Sequence, residues 1–246
     1  MAVSVVTPTP DTEGAELGED LPVSRVRGTG HRLVPSQFPP IGVFDSVATA
    51  EDALAAMRLE GLTNDRLQMP LRRVALFPKE DWLVGQSGAQ AVMAAFLHAA
   101  PEGGRFTSPQ LGAWYCARSL ETAIEETVYH ATRRIVASRG LLLHATIAMR
   151  EWTHGLDARL VDVRGARERF AKLYDPHSYA ESQPFGERVR AEGGAGVVYD
   201  SVRHTGGTCV VMYRPRMVAP VKQGVHLEYR WTGEATPTVL QLQRLR

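Results

Sequence analysis

The pattern of apolar and polar positions predicts helices in the first half of the folded region and strands in the second. Residues Ala50–Leu59 carry apolar side chains at helical spacing. Ser87 can cap a second helix, in which Val92 and Phe96 lie four residues apart. Strand and helix patterns do not alternate regularly along the chain, as a doubly wound parallel fold would require. The pattern therefore predicts the α+β class.

Short runs of apolar, β-branched and aromatic residues mark the strands, and turn residues bound them. A break at Asp175-Pro176 precedes a predicted helix from Tyr179 to about Ala191. The predicted strands are Arg32–Pro35, Ala113–Ala117, Gly140–Ala148, Leu160–Val163, Gly196–Tyr199, Thr208–Tyr213 and Val225–Trp231.

A helix with two distinct faces is predicted between Ser119, a natural N-cap, and Arg134. Its apolar stripe follows spacings of four, three and four and consists of Ile124, Val128, Ala131 and Ile135. Each residue turns the helix by about 100°, so Glu126 lies about 200° from the start of this stripe. Glu126 is therefore expected to point away from the apolar face.

Composition divides the chain into a short tail and one larger domain. Residues 1–24 mix Thr, Pro, Gly and acidic groups with few large apolar side chains, and such a segment cannot offset its ordering entropy. We expect these residues to form a disordered tail. The chain has 246 residues, of which 44% are hydrophobic and 22% charged. That composition suits a single globular domain over residues 25–246.

Charge and hydropathy exclude several classes of protein. The chain has 28 basic and 27 acidic residues, a balance that gives no broad attraction to nucleic acid or to an anionic membrane. The longest apolar runs, around Ala91–Ala100 and Gly140–Met149, have about half of the roughly 20 residues needed to span a bilayer. Neither membrane insertion nor direct binding of nucleic acid is expected.

The two cysteines, Cys116 and Cys209, favour a reducing compartment. A domain of this size needs no disulfide to close its core, so both thiols are expected to be small buried apolar groups. The N-terminus lacks the basic region and the long apolar core of a secretory signal. These features favour the cytoplasm.

Several familiar catalytic and cofactor-binding motifs are missing from the sequence. The glycine cluster Gly193–Gly196 follows a predicted helix and precedes a strand, the reverse of a dinucleotide-binding turn. The sequence contains no Walker loop, no His-Glu-x-x-His and no cysteines at zinc spacing, so no metal is expected. Asp200, Ser201 and His204 are close neighbours in sequence, whereas a catalytic triad is normally assembled from separated segments. These three residues are therefore not expected to form a triad.

Three segments carry groups suited to one chemistry. They contain an Arg-Phe pair after glycine, a tyrosine ten residues later, a glutamate in a helix and a Tyr-x-Ser-x-Arg strand end. This ordered set resembles the RES domain family, which is named for an arginine, a glutamate and a serine. The resemblance extends from about Arg32–Pro35 to Arg214-Pro215, so the motif-bearing part is about residues 31–216. The segments are Gly104–Ser108, Trp114–Glu126 and Gly196–Arg203.

The resemblance implies a fold, a substrate and a partner. The fold would be a single domain similar to ADP-ribosyltransferases, with a mixed, mostly antiparallel, split β core and flanking helices. The substrate would be NAD, cleaved at the nicotinamide–ribose bond with transfer of ADP-ribose to phosphate or water. Many members are bacterial toxins, whose partners are typically Xre-type antitoxins with a helix-turn-helix.

Carried over residue by residue, the resemblance assigns catalytic roles to Arg105, Glu126 and Ser201. It assigns binding of NAD to Arg105 and Ser201 together with Arg32 and Tyr115. Arg32 departs from the family pattern, because a histidine precedes it where many relatives have an aromatic residue. A predicted helical insertion also separates it from Arg105.

The chemistry of these side chains agrees with the assigned roles. Loss of nicotinamide builds positive charge on ribose, which the Glu126 carboxylate can stabilise. Arg105 offers bidentate donors to a diphosphate, and the ring of Tyr115 can pack on a flat base. The Ser201 hydroxyl can donate to the diphosphate or orient the glutamate.

Each of these residues also has a purely structural interpretation. Glu126 on a polar helix face and Arg105 after a glycine turn are usually solvated, Tyr115 suits strand packing, and Ser201 can satisfy a local backbone group. Arg203 and His204 could reach a phosphate, but cations in loops are usually solvated, and neither is assigned to the site.

Two other functions remain open at the level of sequence. Transfer of ADP-ribose to a host metabolic enzyme shares the cleavage step with hydrolysis and phosphorolysis, so the residues do not distinguish the three acceptors. A non-catalytic module could also use the same pocket to bind a nucleotide or a partner.

Overall fold

A computed structural model describes residues 21–38, 42–139 and 144–243 of the chain. The strands in these ranges are β1 (Val23–Pro35), β2 (Trp114–Ala117), β3 (His144–Asp162), β4 (Gly196–Asp200), β5 (Thr208–Met212), β6 (Val221–Thr232) and β7 (Thr238–Leu242). The α-helices are α1 (Val43–Ser46), α2 (Ala50–Gly61), α3 (Gln68–Val74), α4 (Ala89–Leu97), α5 (Leu120–Arg139) and α6 (Ser182–Ala191).

The strands form one mixed sheet in the order β1-β2-β5-β4-β3-β6-β7. The strand β1 pairs with β3 as well as with β2, so the pairings close a circuit through β1, β2, β5, β4 and β3. The pairing between β3 and β4 is parallel, and the other named pairings are antiparallel. The predicted α+β class with a mixed, mostly antiparallel sheet and flanking helices is confirmed.

The long strand β3 joins the two parts of the sheet. The sequence predicted two strands here, Gly140–Ala148 and Leu160–Val163, and this separation is wrong. Residues 140–143 lie outside the described residues, and the rest of both segments, apart from Val163, belongs to the single strand β3. The charged residues between them are compatible with a strand because their side chains pair across it: the Arg25 guanidinium contacts Asp157 at 2.6 Å.

Several predicted boundaries shift in the structure. The first strand begins at Val23, so Val23 and Ser24 belong to the sheet rather than to the predicted tail, and residues 1–20 lie outside the described residues. The helix expected after Ser87 is capped by Gly88, whose φ of 85° suits glycine. The helix expected from Tyr179 begins at Ser182.

Alternation of side chains along β3 separates an enclosed face of the sheet from an outer face. Leu156, Ala158 and Leu160 are buried on the enclosed face, while the residues between them are exposed. The helix α5 covers the opposite face beside the first half of β3. There the Thr127 hydroxyl lies 2.9 Å from the Tyr229 hydroxyl, and the Trp231 indole N–H donates to Thr132.

The helix α5 begins as the sequence predicts. The Ser119 hydroxyl accepts a hydrogen bond from the Thr122 backbone N–H at 3.2 Å, and Ala131 and Ile135 of the apolar stripe are buried. No helix in the described part of the chain is both long enough and apolar enough to cross a membrane. Both cysteines are free and buried, as predicted.

Candidate active site

The centre of the candidate site is a contact between α5 and the end of β4. The Ser201 hydroxyl donates a hydrogen bond of 2.6 Å to Oε1 of Glu126. Ser201 is 2% exposed, and Glu126 is half-buried. The Cys209 thiol on β5 lies 3.6 Å from the same carboxylate oxygen, and the pKa of that thiol is raised by burial and by the nearby negative charge. The side chain of Glu126 therefore points at the sheet rather than into bulk water.

Ser201 also organises the turn that follows β4. Its hydroxyl oxygen accepts hydrogen bonds from the backbone N–H groups of Arg203 and His204, at 3.1 and 2.9 Å. The His204 ring turns away from the serine and lies 2.9 Å from the Thr122 hydroxyl. Asp200, Ser201 and His204 thus do not form a triad, in agreement with the sequence-based argument.

Arg105 is buried at the turn before β2. Its Nη1 donates to the backbone carbonyls of Leu173 and Asp175 at 2.8 and 2.9 Å, and its guanidinium lies 5.0 Å from the Tyr179 ring centroid. Among the described residues its Nε and Nη2 make no hydrogen bond. The arginine is held in place by one nitrogen, and the rest of its donors remain free for an anion.

The turn that carries Arg105 is fixed by the helix α6 and by Tyr115. A Cβ at Gly186 of α6 would lie 2.1 Å from the Phe106 carbonyl oxygen, so this approach requires glycine. The Tyr115 hydroxyl accepts from the Phe106 N–H at 2.9 Å and lies 3.1 Å from the Thr107 hydroxyl. Burial raises the pKa of Tyr115 to about 12, so the phenol stays neutral at physiological pH.

Tyr115→Phe is expected to destabilise the protein by about 1–3 kcal/mol, because the buried Phe106 N–H loses its acceptor. The melting temperature should fall by several degrees for a chain of this length. Tyr129→Phe is the matched control, since its hydroxyl makes one exposed bond of 3.4 Å. Equal melting temperatures for the two variants would contradict this role of Tyr115.

Arg32 lies apart from the contact between Glu126 and Ser201. Its guanidinium lies 4.9 Å from the Trp114 ring centroid, and its Nη1 donates to the Tyr115 carbonyl. Glu126 contacts Cys209, which pairs with Ala117 on β2. Since Trp114 and Ala117 are three residues apart on one strand, their side chains point to opposite faces. Arg32 therefore lies on the enclosed face and Glu126 on the outer face.

Arg32 has buried neighbours, and it forms no ion pair with a carboxylate in the described ranges of the chain. Burial lowers the pKa of Arg32 to about 10, which still leaves it charged at neutral pH. On the same face, Nε2 of His154 lies 3.5 Å from the Cys116 sulfur. Burial raises the pKa of Cys116 to about 12 and lowers that of His154 to about 4.

The depressed pKa of His154 predicts a loss of stability in mild acid. In the unfolded chain this imidazole binds a proton below about pH 6.5, whereas in the folded protein it does so only near pH 4. Stability contributed by the neutral form is therefore complete above about pH 6.5 and declines as the pH falls toward 4. Between pH 7 and pH 5 the loss from this group is about 2 kcal/mol.

Urea unfolding at both pH values measures this loss. The free energy of unfolding of His154→Gln should fall less between pH 7 and pH 5 than that of the parent. His177→Gln, at an exposed position, should lose as much as the parent. An equal loss of unfolding free energy in all three proteins would show that His154 does not cause the loss of stability in acid.

Comparison with known proteins identifies the family. Residues 71–232, more than half of the chain, match the RES domain. The chain belongs to the RES domain family. An uncharacterized protein of Sinorhizobium fredii (strain NBRC 101917 / NGR234), y4oC, is 29% identical over 207 residues, which cover 82% of this chain and 83% of that protein.

A solved structure is also similar to this RES domain. It is a chain of the M. tuberculosis MbcT–MbcA toxin–antitoxin complex, with a TM-score of 0.45 and 12% identity, covering 85% of this chain and 87% of that chain. In the described ranges of the RES domain, no group of three or more His, Cys, Asp or Glu residues is placed to hold a metal ion.

The structure brings the residues singled out in the sequence together to different degrees. Glu126 and Ser201 are in direct contact. The Arg105 guanidinium lies over the Tyr179 ring, and the Tyr115 hydroxyl holds the turn that carries Arg105. Arg32 is on the other face of the sheet, although its guanidinium donates to the backbone carbonyl of Tyr115.

Sequence reasoning did not assign Arg203, Tyr129 and Tyr179 to this site. The Arg105 guanidinium lies 5.0 Å from the Tyr179 ring centroid, and burial raises the pKa of that phenol. Arg105 and Arg203 donate to the backbone carbonyls of Asp175 and Pro176, which are adjacent residues. A signal was present in the sequence: Arg203 follows Ser201 by two residues, and Tyr129 follows Glu126 by three.

Proposed function

We propose that this RES domain, over residues 25–246, cleaves the nicotinamide–ribose bond of NAD and transfers ADP-ribose to phosphate or water. The observation that carries the proposal is the half-buried Glu126 carboxylate, held at 2.6 Å by the Ser201 hydroxyl. Arg105, whose guanidinium lies 5.0 Å from the Tyr179 ring centroid, forms no ion pair with any described carboxylate.

Glu126 would stabilise the transition state. When nicotinamide leaves with the electron pair of the broken bond, positive charge develops on the ribose carbon and ring oxygen. The Ser201 hydroxyl occupies Oε1 of the carboxylate, and no described group donates a hydrogen bond to Oε2. That oxygen can hold a ribose hydroxyl, and its negative charge stabilises the developing cation.

Arg105 would position the substrate through its diphosphate. Two backbone carbonyls fix its Nη1, and Nε and Nη2 form the edge of the guanidinium that matches two phosphoryl oxygens. The exposed part of the Tyr115 ring could pack against one of the flat bases, since its hydroxyl is already bonded to the turn. Arg32 lies on the enclosed face of the sheet, so it would support the substrate only indirectly, by holding the Tyr115 carbonyl.

The acceptor completes the reaction at the ribose carbon. Water attacks with loss of a proton and gives ADP-ribose, whereas phosphate attacks through one oxygen and gives a phosphorylated ADP-ribose. Both routes release one neutral nicotinamide for each NAD consumed.

The biological role follows from this chemistry and from membership of the RES family. A cytoplasmic enzyme that consumes NAD would stop growth, so we propose a bacterial toxin controlled by an Xre-type antitoxin with a helix-turn-helix. Expression of the chain from an inducible promoter should halt growth and lower cellular NAD, and co-expression of its Xre-type antitoxin should restore both. Growth arrest with unchanged NAD would contradict this role.

The direct test uses purified protein. NAD is incubated with the full chain, with and without inorganic phosphate, and the products are identified by mass. ADP-ribose alone indicates water as acceptor, and a mass increase of one phosphoryl group indicates phosphate. Absence of NAD loss in both conditions would overturn the proposed cleavage. Label transfer from tagged NAD to one protein in a lysate would instead assign a protein acceptor.

A further inference from the structure

A second arginine lies beside the candidate active site and is stacked on a tyrosine. The Arg203 guanidinium carbon lies 3.4 Å from the centroid of the Tyr129 ring. One of its nitrogens, Nη2, donates to the Pro176 carbonyl, and the Tyr129 hydroxyl donates to the same oxygen at 3.4 Å. Arg203 is half-buried, so this loop cation is not simply solvated.

Geometry places this arginine next to Glu126. Glu126 and Tyr129 are three residues apart on α5, so they share one face of the helix about 4.5 Å apart along its axis. Ser201 and Arg203 are two residues apart in the loop after β4. The same two elements therefore make two successive contacts, Glu126 with Ser201 and Tyr129 with Arg203.

The short segment Leu173–Pro176 anchors both arginines of the site. Its carbonyls at Leu173 and Asp175 accept from Arg105, and its carbonyl at Pro176 accepts from Arg203. Each guanidinium also lies over a tyrosine ring, Arg105 over that of Tyr179 at 5.0 Å. Both side chains have thus lost much of their rotamer freedom before any ligand arrives, which lowers the cost of binding an anion.

The two arginines carry charge that the protein does not neutralise. Within the described ranges, neither Arg105 nor Arg203 forms an ion pair with a carboxylate. Held cations with free donors at one site are typical of phosphoryl recognition. We infer that Arg203 and Arg105 form a two-point site for phosphoryl oxygens, with Arg203 as a substrate-binding residue. This inference rests on the proposed function, because the anion is either the diphosphate of NAD or the free phosphate acceptor.

Binding measurements without turnover test the site. The full chain and its Arg203→Gln variant are titrated calorimetrically with ADP-ribose, with inorganic phosphate and with adenosine, which has no phosphate. We expect Arg203→Gln to weaken binding of ADP-ribose, of phosphate or of both about ten- to a hundredfold, and to leave adenosine binding unchanged. Arg134→Gln, the same change at an exposed position of α5, should leave all three unchanged.

The two phosphate-bearing probes distinguish the source of the anion. Weakened ADP-ribose binding with unchanged phosphate binding assigns Arg203 to the diphosphate. Weakened phosphate binding, together with a raised KM for phosphate and an unchanged KM for NAD, assigns it to the acceptor. Binding of both probes within twofold of the parent would overturn the inference, as would equal weakening of adenosine binding or failure of the parent to bind either probe.

Two further variants keep the test valid if Arg203→Gln does not fold. Tyr129→Leu removes the stacking ring from α5 and should weaken binding of the same probe. Arg203→Lys retains the charge without the planar guanidinium, so its affinity should lie between those of the parent and Arg203→Gln. If the parent binds ADP-ribose through Arg203 but does not consume NAD, the cleavage reaction is wrong and the anion site stands. If the parent consumes NAD and Arg203→Gln binds both probes normally, the anion site is wrong and the cleavage reaction stands.

Discussion

Glu126→Gln is expected to lower the rate of NAD cleavage about 1,000-fold or more while the protein remains folded. The amide has no negative charge to stabilise the cationic ribose, and that stabilisation acts only in the transition state. The loss should therefore appear in kcat more than in KM for NAD. Nicotinamide release, measured by chromatography at saturating NAD, gives the ratio directly.

The structure explains why the fold should tolerate this substitution. Glutamine keeps an oxygen that can accept the 2.6 Å hydrogen bond from the Ser201 hydroxyl, and the side chain keeps its volume in a half-buried position. We expect the free energy of unfolding to change by less than about 1 kcal/mol, because the neutral hydrogen bond replaces a charge-assisted one.

Glu125→Gln provides the matched control on the same helix. Glu125 is exposed and precedes the catalytic candidate by one residue, so its side chain points about 100° away. Its variant should cleave NAD at the parental rate. A Glu126→Gln protein that retained more than a tenth of the parental kcat would remove Glu126 from the proposed mechanism.

Ser201→Ala is expected to damage both stability and activity. The hydroxyl donates to Glu126 and accepts from the backbone N–H groups of Arg203 and His204, so alanine leaves two donors without their acceptor. We expect a loss of about 2–4 kcal/mol in the free energy of unfolding, corresponding to a fall of about 5–15 °C in melting temperature. NAD cleavage should fall about 100-fold at temperatures where the variant is still folded, because the carboxylate is no longer oriented.

A serine in another turn controls for the general effect of losing a hydroxyl. Ser178 accepts from the Ala180 N–H at 3.2 Å in an exposed loop, where water can replace it. Ser178→Ala should change the melting temperature by no more than about 2 °C. If Ser201→Ala were as stable and active as this control, the hydroxyl would be neither a cap for the turn nor a positioning group for Glu126.

Much of the candidate site was accessible from local sequence because the motif residues have local determinants. Ser119 caps α5 as its residue type predicts, and Ala131 and Ile135 of the predicted stripe are buried. Glu126 lies away from the start of that stripe, as predicted, and there it meets Ser201 at the end of β4. The strands β4 and β5 are continuous apolar runs and were found near their true limits. Ser201 at the end of one of them could therefore be placed near the site.

Other features could not be found by local reasoning. The strand β3 carries charged residues that are compatible with a strand only because β1 lies beside it, and β1 is remote in sequence. The strand β7, Thr238–Leu242, was not predicted at all, since it is short, largely exposed and held by pairing with β6. Local sequence indicates that Arg203 is a solvated loop cation, whereas in the structure it contacts Tyr129 and Pro176, which come from distant segments.

The amino-acid sequence by itself determined the α+β class, the helix that presents Glu126 and the order of the arginine, glutamate and serine motifs, because periodicity and capping act over a few residues. Tertiary structure alone decided which of these side chains meet. It joined Glu126 to Ser201 and gathered Arg105 and Arg203 around Leu173–Pro176, yet it placed Arg32 on the other face of the sheet. The reason is strand register: neighbouring side chains on a strand point to opposite faces, so only the pairing of distant strands decides which face a binding residue serves.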